Sequence, residues 1–384
     1  MMQDMLRITA AAALFYTLLM GAGCAPDPTQ PAAPADSIQV AWRIPLGESG
    51  AITPGFHDIS ADDERLYVLW KGVTAYDLGT GEQRWQVPRT ERGPDNVVAR
   101  DGRVFTSSDV ARALNAATGA ELWRFVPDAE AAATTAVDER AFYIGTESRR
   151  VYALDVSTGR PLWSAEVLPR GPHPSQVTGI VAHGDSLYVS LVEDTSPTGH
   201  LKRGWIVAVD RLTGAVLWRW VNEKADEPHD AGRHAVAGRM LLVNDLNGGA
   251  FIGVDRFTGR EVWRHVGAGD RFGARDVAKV ADGVAYLASN DTRTYAFDPE
   301  SGRIRWEKDI RASASSSAIC GDSVLAAAGS LHMLRRSDGE QKATLFLDRE
   351  GFVLPDEFVV SRLLSHRGRV YFVGYKAVYA VECS

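Results

Sequence analysis

Three cysteines in 384 residues, no block of lysines and arginines, and no apolar run of membrane-spanning length beyond the first two dozen residues are scarcities that each remove a class of protein. So few cysteines cannot make a disulfide-dense scaffold. With 42 basic against 49 acidic residues and a formal charge of -7, an electrostatic groove for nucleic acid is not expected. No later segment is long and apolar enough to be read as a spanning helix. Removing residues 1–23 takes away one acid, Asp4, and one base, Arg7, so the charge is unchanged.

What the chain has in quantity is repetition. The phrase A-x-D-x-x-T-G-x-x-x-W runs from Ala75 to Trp85, Ala113 to Trp123, Ala153 to Trp163, Ala208 to Trp218, Gly253 to Trp263 and Ala296 to Trp306. Asn115 replaces the acid once and Ser301 the threonine once. A seventh copy, Met333 to Ala343, keeps Gly339 and loses the Trp; an eighth begins at Ala380-Val381-Glu382. Residues before the acid alternate as in a half-buried strand. The acid (Asp77, Asp155, Asp210, Asp255, Asp298) accepts hydrogen bonds from the amides just ahead of it, and the glycine supplies the positive φ of a tight reversal. The closing Trp offers a flat face for burial against a neighbouring unit.

Upstream of each phrase, apolar alternation surrounds Asp-Gly, Gly-Asp or related pairs, the strongest short-range hairpin signal. Each unit therefore reads as four antiparallel strands, A to D, and the unit spacing suits propeller blades. Counting the acid positions Asp77, Asn115, Asp155, Asp210, Asp255, Asp298, Arg335 and Glu382 gives eight units. The last stops after strand C, and Ile38 to Arg43 carries its own Trp42. The expectation is an all-β, eight-bladed β-propeller closed by an N-terminal strand, spanning residues 38–384 and leaving no free sheet edge between first and last blade.

The phrase resembles the tryptophan-docking repeat of quinoprotein, PQQ-type propellers. At the N-terminus, the apolar run Ile8 to Met20 has the length of a signal-peptide core. The following Gly21-Ala22-Gly23-Cys24 resembles the lipobox of bacterial lipoproteins. That resemblance implies a signal peptide over 1–23, a lipidated Cys24, and a Pro/Ala-rich tether over 24–37. Ala25, not Asp, after the Cys implies the outer membrane, with the propeller facing the periplasm.

Short turns are expected at one end of the disc, and longer D–A and B–C connections at the other. Three long connections gather at blade four, Leu168 to Val177, Glu193 to Gly204 and Asn222 to Arg233, and binding residues favour such loops on a rigid scaffold. They hold Arg170, His173, Glu193, Asp194, His200, Lys202, Arg203, Asp226, Glu227, His229 and Asp230, with His234 directly after the third. A metal set of His229, Asp230 and His234 has loop-like spacing with nothing to complete it, so no metal is expected.

A lipid-anchored eight-bladed PQQ-type propeller resembles the BamB family of outer-membrane lipoproteins, which assist insertion of β-barrel proteins by docking on the barrel-forming subunit. The resemblance implies a non-catalytic, monomeric scaffold for protein–protein interaction. It maps docking onto Leu168, Arg170 and Gly171 in one interblade loop and onto Asp226 and Asp230 in the next. Two alternatives stand beside it. One is a quinone-dependent dehydrogenase, holding PQQ with calcium in the propeller centre; its relatives are longer and many carry adjacent cysteines, whereas Cys320 and Cys383 are not adjacent. The other is a propeller binding some other envelope protein or a glycan. The repeat places Cys320 and Cys383 in different units and at different depths, so two free thiols are expected.

Overall fold

A computed structural model describes residues 37–383, apart from 47–57, 71, 89–95, 130–134, 170–174, 196–201, 223–233, 246–247, 268–275, 312–315, 329, 347–360 and 375–376. The described strands form eight four-stranded antiparallel sheets. Blade 1 is Ile59–Ala61, Arg65–Leu69, Gly72–Asp77 and Gln83–Pro88. Blade 8 takes strands A to C from Leu364–His366, Arg369–Val373 and Ala377–Glu382, and its strand D is Val40–Pro45. Trp42 pairs with Ala380 and Ile44 with Val378, so the N-terminal strand closes the ring as expected.

Local chemistry explains the repeat. In blade 3, Asp155 Oδ1 accepts from the Ser157 and Thr158 amides and the Thr158 hydroxyl at 3.1, 2.8 and 2.8 Å. Asn115 makes the same three contacts at 2.9, 3.0 and 3.2 Å without a charge. Gly159, at φ +70°, has a second reason to be glycine. A Cβ there would meet Trp123 of the preceding blade at 2.5 Å, so the residue that turns the chain is also the floor on which the neighbour's indole lies.

The apolar core is divided among eight clusters, one in each seam between adjacent blades. Seven seams share one lock: Trp42, Trp85, Trp123, Trp163, Trp218, Trp263 and Trp306 donate Nε1–H to the carbonyls of Leu78, Ala116, Val156, Arg211, Arg256, Pro299 and Arg336 in the next blade, at 2.8 to 3.2 Å. Tyr143 from strand B stands 6.2 Å from the Trp163 ring, a tilted aromatic contact that adds to burial. The A–B and C–D turns meet at one end of each blade, as when the Ala116 amide bonds Gly102 O at 3.0 Å and Arg211 N bonds Asp185 O at 2.9 Å. B–C and D–A connections leave from the other end.

One sequence expectation is corrected. Cys320 and Cys383 are not free thiols; they form a disulfide with Cα atoms 5.0 Å apart. Their units are neighbours in the ring, blades 7 and 8. Cys320 closes strand A and Cys383 follows strand C, and both of those strand ends lie at the short-turn end, so the two residues sit at one depth.

Candidate functional site at the long-connection end

Blade 4 departs from the others at the end where the long connections leave. Its strands Ser175–His183, Ser186–Asp194 and Lys202–Asp210 are nine residues each, where most others have five or six. Glu193 and Asp194, expected in a loop, instead pair in register with Arg203 and Lys202. Glu193 is only 8% exposed. Its Oε2 accepts from Trp205 Nε1 at 3.1 Å and faces Arg203 at 3.4 Å, while that guanidinium lies 6.0 Å from the Trp205 ring centre. The carboxylate, the indole and the arginine fix the projecting hairpin through charge-assisted and cation–π contacts.

The expected docking residues divide. Leu168 is described and 4% exposed, packed with Val167 and Val177 in the core between blades 3 and 4; its side chain is turned inward. Arg170, Gly171, Asp226 and Asp230 lie outside the described residues, as do His173, His200, Glu227 and His229. His234 is buried, with Nε2 3.0 Å from Tyr188 O. No three His, Cys, Asp or Glu among the described residues come together as a metal site.

Sequence reasoning missed a ring of polar stitches near this same end, one per seam. Arg149 donates to Ser175 Oγ at 3.1 Å across blades 3 and 4. Asn222 donates to Asp245 Oδ2 at 2.7 Å across blades 4 and 5, and Asn244 to Asp276 O at 2.8 Å across blades 5 and 6. Asp276 then accepts from Ser316 Oγ at 2.5 Å, and Ser316 Oγ accepts from the Leu363 amide at 2.9 Å, crossing blades 6 to 8. Arg362 meets Asp58 at 2.7 Å, Asp58 accepts from the Val97 amide at 3.0 Å, and Thr135 donates to Asn96 Oδ1 at 2.9 Å, which closes the circle through blades 8, 1, 2 and 3. A sequence signal existed: Asp58, Asn96, Thr135, Ser175, Asp276 and Ser316 each stand at or near the head of an innermost strand.

Asp276, 2% exposed, is a buried charge of this ring. Burial pushes its carboxyl up, but Lys279 at 2.9 Å, Ser316 and the Val277 amide outweigh burial and hold it below the usual carboxylate range. Asn244 is 1% exposed, and its Oδ1 accepts no hydrogen bond. Between the innermost strands of blades 5 to 8 lies a cavity of about 360 Å³, walled by Ala235, Val236, Ala278, Val280, Ala318 and Leu364 with Lys279 as its charged member. A carboxylated quinone needs uncommitted cations. Here Lys279 is held by Asp276, and the other described walls are aliphatic apart from Ser365.

Tryptophan-docked seams, an N-terminal closing strand and one elaborated end define a PQQ-type eight-bladed propeller. The chain belongs to the family described as outer membrane protein assembly factor BamB, whose model matches residues 69–193 and 202–384. It is 27% identical over 218 residues to the outer membrane protein assembly factor BamB of Yersinia pestis, covering 52% of this chain and 54% of that one. It is 27% identical over 260 residues to a polyvinylalcohol dehydrogenase of Sphingopyxis sp. strain 113P3, covering 62% of this chain and 36% of the relative. The chain thus spans about half or less of these relatives' lengths. The crystal structure of BamB from Moraxella catarrhalis superposes with a TM-score of 0.65 at 18% identity, over 90% of this chain and 97% of that one, a likeness of fold.

Proposed function

We propose that this chain is a non-catalytic, lipid-anchored scaffold that assists assembly of outer-membrane β-barrel proteins, docking its partner through the long-connection end of blades 3 to 5. The observation that carries the reading is the asymmetry of that end: among the described strands, blade 4 alone extends three to nine residues each, and the extension is braced internally by Glu193, Arg203 and Trp205. A rigid projection of this kind suits a surface that binds without moving. Arg170, Gly171, Asp226 and Asp230, on the connections flanking the projection, are the proposed contacts, with Leu168 anchoring the first connection in the core. In this reading residues 1–23 are a signal peptide, Cys24 carries the lipid, residues 24–37 are the tether, and the propeller faces the periplasm.

The test is capture of the lipidated protein from mildly crosslinked, detergent-solubilised membranes, with mass spectrometry of what accompanies it. Strong recovery of the barrel-forming assembly subunit, reduced by Arg170→Glu or Asp230→Lys at unchanged melting temperature, is the expected result. Its absence from the capture contradicts the reading. The rival dehydrogenase reading rests on the polyvinylalcohol dehydrogenase relative. It requires dye reduction by the purified protein on addition of PQQ and calcium; a rate above the protein-free control would establish it.

A further inference from the structure

The seam between blades 7 and 8 lacks the lock that the other seven share. Strand D of blade 7, Gln341–Phe346, places Ala343 opposite Met333, where blades 3 and 4 place Trp163 opposite Ala153 and Trp218 opposite Ala208. The acceptor for the missing indole would be the residue after the blade 8 motif acid, Glu382, as Val156 follows Asp155. That residue is Cys383. Its amide bonds Gly368 O at 2.8 Å, as the Ala116 amide bonds Gly102 O in blade 2, so Cys383 occupies the docking position, and it is joined there to Cys320 of blade 7. Blade 8 is also the blade that borrows its outer strand from the N-terminus.

We infer that the disulfide is the eighth lock, a covalent substitute for the absent tryptophan that makes closure of the ring dependent on redox state. In the dithiol form the seam keeps its apolar core, built around Leu331, Met333, Val370 and Tyr379, and a weak contact of Cys320 Sγ with Glu382 O at 4.0 Å, but loses its covalent link at the short-turn end. Closing it takes two electrons and two protons from the thiols, delivered to a disulfide-exchanging protein oxidant. The Cys383 thiolate attacks the oxidant's disulfide and expels one of its thiolates, forming a mixed disulfide. The Cys320 thiolate then attacks Cys383 Sγ and expels the second, leaving the oxidant as a dithiol. Exposure sets the order: Cys320 is 1% exposed, whereas Cys383 is only partly buried, and access governs which sulfur reacts first.

Hydrogen exchange of the full chain with and without tris(carboxyethyl)phosphine tests the lock. Reduction should speed exchange at least tenfold in Leu331–Leu345, Val370–Val381 and the closing strand Val40–Pro45, leaving the seams of Trp123, Trp163 and Trp218 unchanged. A uniform rise across all blades, or no change, overturns the inference. Reaction with an aromatic disulfide tests the order without reference to stability: Cys320→Ser should be labelled at Cys383 at least tenfold faster than Cys383→Ser is labelled at Cys320. Equal rates, or the reverse, overturn the assigned order.

Discussion

The two ends of the propeller hold its blades together in different ways. At the short-turn end one device recurs: an indole from one blade lies on the glycine of the next and donates to a carbonyl one residue past the motif acid. At the long-connection end each seam has its own polar pair, such as Arg149 with Ser175 and Asn222 with Asp245. A repeated device can be copied with each blade. An unrepeated one must be solved seam by seam, and it leaves that end free to diverge, as blade 4 has done.

Breaking the repeated end should have the largest effect. Trp163→Ala or Trp218→Ala removes a large aromatic from a seam and should cost about 3–5 kcal/mol in denaturant unfolding; a loss under about 1 kcal/mol would contradict the locking role. On the other end, Asp276→Asn keeps the shape but leaves Lys279 without its counter-ion. Because Lys279 is partly solvated, a cost of about 2–3 kcal/mol is expected rather than the full penalty of a dry broken pair. A neutral outcome would reduce the polar ring to incidental contacts.

Acid should act on both ends, through Asp276 at one and through the motif acids at the short-turn end. Arg84 and then the Thr80 amide hold Asp77 at about 2, and the Thr158 and Thr213 hydroxyls and amides likewise hold Asp155 and Asp210 below the ordinary range. A folded-state value below the unfolded one contributes stability that is complete above the unfolded value of 3.8 and is lost as pH falls, for Asp77 through about 2. Stability should therefore drop between roughly pH 4 and 2. Asp77→Asn and Asp155→Asn, copying what Asn115 already does, should flatten that drop at a cost below about 1 kcal/mol at neutral pH. An unchanged acid limb in the double variant would show that other groups govern it. Arg170→Glu should have the smallest effect on folding, within about 0.5 kcal/mol, while weakening partner capture.

How much was legible follows the same division. The eleven-residue phrase carried the blade count, the turn chemistry of Asp155 and Asn115, and closure by Trp42, because each repeats or conspicuously fails to. The polar ring escaped notice because Asp58, Asn96, Thr135 and Ser175 share a place and not an identity. Glu193 and Arg203 were taken for loop residues because a hairpin extended beyond its siblings has no counterpart in the repeat to set its register. The cysteines were misread for a specific reason. The repeat puts Cys320 and Cys383 in different units, but the depth of a residue depends on which end its strand has reached, and both cysteines lie at the short-turn end.

The central claim is that the repeated end builds the disc and the divergent end meets the partner. Photo-crosslinking in intact membranes tests it directly, with the photoreactive residue placed at Arg170 or Asp230 on one end and at Ser157 or Asp185 on the other. The account predicts adducts to the barrel-forming assembly subunit from positions 170 and 230 and none from 157 and 185. Adducts from the short-turn end alone, or none to that subunit from either end, would contradict it.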